Sequence, residues 1–174
     1  MSSAGLPESF DPTVAARELF AWSGDVPVSD FARLADLLVS KSGMVRVQLQ
    51  GAFGADRRPT MTVKLMAHLE QSCQRCLQPV TVVIHHEHTV AWVTDETELE
   101  RLDALEDDSD ADAVEYLPMP DPARVCTLEF VEDELMLSLP IVPMHADCAL
   151  PVAVTESADD HPFATLAQLK TLKH

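Results

Sequence analysis

Two short chelating sequences stand well apart in this chain, Cys73-Gln74-Arg75-Cys76 and His145-Ala146-Asp147-Cys148. Each places two metal-binding side chains three positions apart, so one tight turn can aim both at the same ion. Joined by folding, the halves supply three thiolates and one imidazole, a donor set suited to tetrahedral zinc. Cys-x-x-Cys also serves redox chemistry, but that use normally places the first cysteine at a helix N-terminus, where its pKa falls. Here Leu77-Gln78-Pro79 leads into a strand instead. Ordinary reduced cysteines without metal are the third reading. Cys126 lies outside both halves, and packing is its default explanation.

His85, His86, Glu87 and His88 form a second cluster. On a strand, His86 and His88 share one face and His85 and Glu87 the other. Two imidazoles at that spacing can bind a metal, but a site needs a third ligand and outer partners, and the neighbouring residues offer none. A solvated strand end is the expectation. No phosphate-cradling glycine loop, G-x-S-x-G elbow or H-E-x-x-H helix is present, and the chain has only 5 glycines. The expectation is therefore no enzyme. A zinc- or thiol-dependent enzyme acting on RNA or protein is the alternative.

The elements that must position these groups follow from periodicity. Asp11-Pro12 opens a helix directed toward Leu19 and Phe20, with a capping oxygen followed by proline at the first helical position. After Pro27, the spacing of Phe31, Leu34, Ala35 and Leu38 predicts a second helix capped by Ser29 or Asp30. The period then drops to two. Val45, Val47 and Leu49 alternate with polar residues, and so do Met61, Val63, Leu65, Ala67 and Leu69, which predicts an antiparallel hairpin. A third strand is expected over 80–93. Cys73 and Cys76 then fall in the connection between two strands, which would hold their turn rigidly. Another helix is expected near 127–139, with Thr127 as its cap, a buried stripe of Leu128, Val131, Leu135 and Leu139, and Pro140 ending it. The fold class is α+β: one domain over 1–174, with an antiparallel sheet able to curl toward a barrel and helices at the N-terminus.

Charge narrows the partners. The chain carries 29 acidic and 12 basic residues, a formal net charge of −17. Gripping nucleic acid rests on Lys and Arg neutralising phosphates, and Arg57-Arg58 is the one adjacent basic pair. A basic protein partner suits this balance; acidity that only maintains solubility is the bland reading. The acids concentrate between Asp95 and Glu115, inside a stretch, 95–124, that reads as an exposed flexible loop with a short helical piece around Leu99, Leu102 and Leu105. A C-terminal tail, 155–174, carries a last apolar helical pattern through Phe163, Leu166 and Leu169. No apolar run approaches the ~18–20 residues of a membrane span, and the N-terminus lacks a secretion signal, so a cytoplasmic location is expected.

Three words occur in one order: Cys73-Gln74-Arg75-Cys76-Leu77; Val131-Glu132-Asp133-Glu134-Leu135-Met136-Leu137-Ser138-Leu139-Pro140-Ile141-Val142-Pro143-Met144-His145 with Cys148; and Pro162-Phe163-Ala164-x-Leu166-x-x-Leu169-Lys170. Together they resemble the YceD-like proteins, the large ribosomal RNA subunit accumulation family. The layout from Asp11 through Val93 is similar too, so the resemblance covers nearly the whole chain. It implies a bacterial cytoplasmic factor needed for normal accumulation of large-subunit ribosomal RNA. Members are commonly encoded beside a small basic large-subunit ribosomal protein, which implies that protein, or a pre-ribosomal particle, as partner. The resemblance carries over no catalytic residues. Some relatives have a fuller cysteine set near the second chelating half, where this chain offers His145 and Cys148. Glu132, Asp133 and Glu134, with Phe163 and Leu166 in the tail, are the candidate partner-binding residues.

Overall fold

The structure, a computed structural model, describes residues 5–103 and 114–150. Its elements are β1 (Ser9–Phe10), α1 (Pro12–Arg17), β2 (Ala21–Pro27), a 3-10 turn (Val28–Asp30), α2 (Ala32–Ala35), β3 (Met44–Phe53), β4 (Pro59–Ser72), β5 (Pro79–Val93), α3 (Glu96–Asp103), β6 (Glu115–Pro118), β7 (Val125–Cys126) and α4 (Thr127–Ser138). The fold is α+β. A five-stranded sheet runs in the order β2-β3-β4-β5-β6, and β1 pairs with β7 in a small second sheet. All neighbours are antiparallel except β5 and β6, which run parallel across the α3 crossover. Among the described residues the large sheet stays open, with β2 and β6 as its edges, and does not close into a barrel.

The alternation in β3 and β4 does what a period of two dictates. Val45, Val47, Leu49, Met61, Val63, Leu65, Ala67 and Leu69 all face the core. Each such buried Val, Leu or Met side chain contributes about 1.5–3 kcal/mol by leaving water. Helix α1 is capped as expected: Asp11 Oδ1 accepts from the N–H groups of Thr13 and Val14 at 2.8 and 3.0 Å. It lies so near β3 that a Cβ at Gly51 would stand 2.8 Å from the Ala15 carbonyl oxygen, which explains glycine there. Helix α4 closes over the same face. Its Phe130 joins Phe10 and Trp92 in an aromatic cluster, with ring centroids 5.7–6.2 Å apart.

Three local expectations are corrected. Helix α2 is a single turn, because the 3-10 turn takes the residues after Pro27 and Phe31, not Ser29 or Asp30, stands at the N-cap. Leu38 lies beyond its end, packed against the core. Strand β2 is an edge strand with a single buried residue, Val26, and its Ser23, Gly24 and Asp25 leave no apolar alternation. Thr127 begins α4 instead of capping it. Cys126 is the N-cap, without a side-chain bond, and the Thr127 hydroxyl is buried with no protein partner among the described residues. The stretch expected as an acidic loop contains α3 and β6 in its described parts; residues 104–113 lie outside them.

Candidate functional site

The β4–β5 connection is a tight turn built around Cys73 and Cys76. Cys73 N–H donates to the Gln78 carbonyl at 2.9 Å, and Leu77 N–H donates to the Cys73 carbonyl at 2.8 Å. Leu77 closes the turn at φ 61°, in the left-handed region that disfavours side chains with a Cβ. Leu77→Val, which adds a branch at that strained position, is expected to lower stability by about 1–2 kcal/mol, whereas Leu77→Gly is not; urea unfolding of the two variants checks this, and equal losses would refute it. The second chelating half docks across the turn. Gln74 N–H donates to the Pro143 carbonyl at 2.9 Å, and the Arg75 Nη2 donates to the His145 carbonyl at 3.0 Å.

The four expected ligands are brought together. The donor atoms of Cys73, Cys76, His145 and Cys148 all lie within 4.8 Å of one another. Cys73 Sγ and Cys148 Sγ are 3.7 Å apart, and Cys76 Sγ is 3.3 Å from His145 Nδ1. Tetrahedral zinc with Zn–S bonds of about 2.3 Å separates its sulfurs by roughly 3.8 Å, so these residues fit that ion with little movement. All four cysteines are free thiols.

The electrostatics favour an anionic donor set. The Cys76 backbone N–H, the largest influence, draws the Cys73 thiol down to about 5; burial opposes it, and the His145 and Arg75 N–H groups and the Cys76 side chain pull the same way. At Cys76 the Gln78 N–H also pulls down, but burial and the neighbouring Cys73 and Cys148 sulfurs prevail, and its pKa rises. Cys73 is therefore the standing thiolate, and a metal arriving would displace the Cys76 proton. Arg75 Nε donates to Cys148 Sγ at 2.9 Å, placing a fixed positive charge beside the sulfurs. Sequence reasoning gave Arg75 no role, although it lies between the two cysteines.

The expectation of one acidic face over Glu132–Glu134 meets a different arrangement. Val131 and Leu135 form the buried stripe of α4, and Glu132 and Glu134 flank it on opposite sides, only 5% and 4% exposed. Glu132 turns toward α2. Its Oε1 accepts from the N–H groups of Arg33 and Leu34 at 2.7 and 3.1 Å, and its Oε2 from Arg33 Nε at 2.8 Å. Burial pushes its pKa up, but these bonds outweigh burial and hold it below the usual carboxylate range. Asp133 is exposed, with Arg33 Nη1 at 2.7 Å. Phe163 and Leu166 lie outside the described residues.

Glu134 turns toward β5. His86 and His88 are not a solvated strand end. Their register opposite Leu65 and Val63 points them to the core side of the sheet, under α4. Glu134 Oε2 lies 2.9 Å from His86 Nε2 and 3.0 Å from His88 Nδ1. His85 and Glu87 take the outer face, where Glu87 pairs with Lys64 at 2.8 Å. Only the helical phase of α4 could have pointed to Glu134 beforehand, because its partners are far away in the chain.

A family model described as "Large ribosomal RNA subunit accumulation protein YceD" matches residues 61–170. The Haemophilus influenzae protein named "Large ribosomal RNA subunit accumulation protein YceD" is 26% identical over 180 residues, covering 98% of this chain and 99% of that protein. No solved structure matches the chain.

Proposed function

The chain belongs to the YceD family of large ribosomal RNA subunit accumulation proteins, and from that premise we propose that it is a non-enzymatic ribosome-biogenesis factor. It supports accumulation of the large-subunit RNA by escorting a basic ribosomal protein or by joining an assembly particle. The observation that carries this reading is the excess of acid, net −17, in a chain with 12 Lys and Arg residues, six of which are paired with carboxylates among the described residues. Arg33, Lys41, Arg46, Arg58, Lys64 and Arg101 are each paired with a carboxylate. Such pairing lowers the free positive charge that a phosphate-binding groove requires. A basic partner meets no such obstacle.

Within this reading, residues 1–174 act as one unit in the cytoplasm, where ribosomes are assembled. Partner contact on α4 falls to its outer acids, Glu129 and Asp133, which border a groove shared with Asp30 and Arg33. The acids of α3 add to the field, and Phe163 and Leu166 supply apolar contact. An apolar patch of Leu77, Pro140 and Ile141, the last 93% exposed, lies beside the chelating turn. The zinc- or thiol-dependent enzyme draws on the low Cys73 thiol, but that residue is fully buried behind Arg75 and the His145–Cys148 segment, which leaves its sulfur no substrate-facing side.

The test is a sucrose gradient of cells with and without the protein, combined with its capture at low salt. Expected are a deficit of large-subunit particles in its absence and co-capture of a basic large-subunit ribosomal protein that salt releases. Glu129→Lys with Asp133→Lys is expected to abolish the co-capture. Free migration of the protein at every stage, with no basic ribosomal protein retained, would refute the reading.

A further inference from the structure

We propose that His86, His88 and Glu134 form a second metal site, distinct from the cysteine cluster, that binds a divalent transition ion of the zinc, cobalt or nickel class. One ligand atom from each of the three residues lies within 4.8 Å of the others, and His86 Nε2 and His88 Nδ1 both face Glu134 Oε2. Two of the three separations, 2.9 and 3.0 Å, are a few tenths of an ångström shorter than the roughly 3.3 Å between donors 2.0–2.1 Å from one ion. Binding therefore requires the carboxylate to part slightly from both imidazoles, with the two ring nitrogens settling at a similar spacing.

The framework is rigid where a site needs it. His86 and His88 stand two residues apart on the core face of β5, a strand paired along its length with β4. Their rings are 5.8 Å apart, centroid to centroid. Glu134 descends from α4, whose position is fixed by Val131 and Leu135 in the core. His88 has an outer partner as well: its other ring nitrogen, Nε2, is 3.8 Å from Glu115 Oε2 on β6. A carboxylate behind a ligating histidine selects the tautomer that frees the opposite nitrogen for metal. At 3.8 Å Glu115 stands beyond hydrogen-bond reach, so it would free Nδ1, the atom facing Glu134, only on moving a few tenths of an ångström closer.

Charge supplies the driving force. The Glu134 side chain is 5% exposed, and among the described residues its ion-pair partners are these two imidazoles, with no Lys or Arg. A buried carboxylate needs a compensating cation, which either imidazole protons or one metal ion can provide. Neutral imidazoles and a carboxylate are the ligands such ions prefer over magnesium or calcium. His86 and His88 keep 24% and 21% of their side-chain surface exposed, so an ion can enter.

The test uses the full chain, stripped by chelator and titrated with Co2+ alone. Thiolate ligands give cobalt an intense charge-transfer band; His and Glu ligands do not. Two equivalents are expected, one with that band and one without. Cys73→Ser with Cys148→Ser should remove the banded equivalent and spare the other, whereas His86→Gln with His88→Gln should do the reverse. Because either variant can misfold, the wild-type protein is also followed by NMR, where the His86 and His88 ring resonances should shift on Zn2+ addition. A single equivalent without the thiolate band would still support this site while removing the cysteine one. Imidazole resonances unmoved by metal, or a bandless equivalent that survives His86→Gln with His88→Gln, would overturn the proposal and leave Glu134 neutralised by protons alone.

Discussion

Metal analysis of the purified protein is expected to find thiolate-bound zinc, and Cys73→Ser or Cys148→Ser to lose it. The halves are held by more than the metal: Gln74 and Arg75 bond the backbone of residues 141–146. Those bonds alone place four ionisable donors in one small volume, with Cys73 already drawn down to about 5. Removing one of four ligands should weaken binding by more than the 10–100-fold that loss of an outer partner costs. Chelation should then loosen residues 143–148, still tethered by the Gln74 and Arg75 bonds, and quicken their proteolysis, while the β3–β5 amides keep their slow hydrogen exchange. Cys126→Ser, outside the cluster and exposed, should retain wild-type zinc. A Cys73→Ser protein that binds zinc as tightly as the wild type would rule out the site.

A large loss of stability from one polar side chain is expected at Glu132. Helix α2 has no side-chain cap of its own; a carboxylate from α4 accepts its first N–H groups instead. Glu132→Ala leaves those donors without an acceptor, and hydrogen bonds to a charged group contribute about 1.5–3 kcal/mol each without being additive. A loss of about 3 kcal/mol is expected in urea unfolding at pH 7. Glu132→Gln, which keeps one accepting oxygen, should lose about 1 kcal/mol. The sign with pH follows from the lowered carboxyl pKa. Its contribution is complete above the unfolded value near 4.5 and disappears as pH falls through the lower folded value. The advantage of wild type over Glu132→Gln should therefore shrink below about pH 4.5. A Glu132→Ala protein as stable as wild type at pH 7 would show that α2 needs no external cap.

The sequence made some of this legible and hid the rest for definable reasons. Both chelating halves were readable because a spacing of three is local and a turn realises it. The β3–β4 hairpin and α4 were readable because period two and the stop at Pro140 are also local. Strand β2 was not, since an edge strand that buries little carries little pattern. Helix α2 was overread: its apolar spacing is real, but only Leu34 and Ala35 fall inside the helix, with Phe31 at its N-cap and Leu38 beyond its end. The partnership of Glu134 with His86 and His88 is purely tertiary. Glu132-Asp133-Glu134 looks like a solvated acidic run, yet the phase set by Val131 and Leu135 turns only Asp133 outward. Glu132 and Glu134 lie at the margins of the buried stripe, where a carboxylate must find a donor or a cation.

The borrowed cap on α2 also governs when this polypeptide can mature during its own synthesis. The acceptor for residues 33 and 34 arrives with residue 132, and the partner of β1 arrives with residues 125–126. The first hairpins can pair as they leave the translating ribosome, but the layer above them stays unfinished until synthesis has passed α4. Truncated chains ending before α4 should accordingly behave as sticky fragments with an uncovered sheet, so premature termination would yield material for proteolysis instead of a partly working factor.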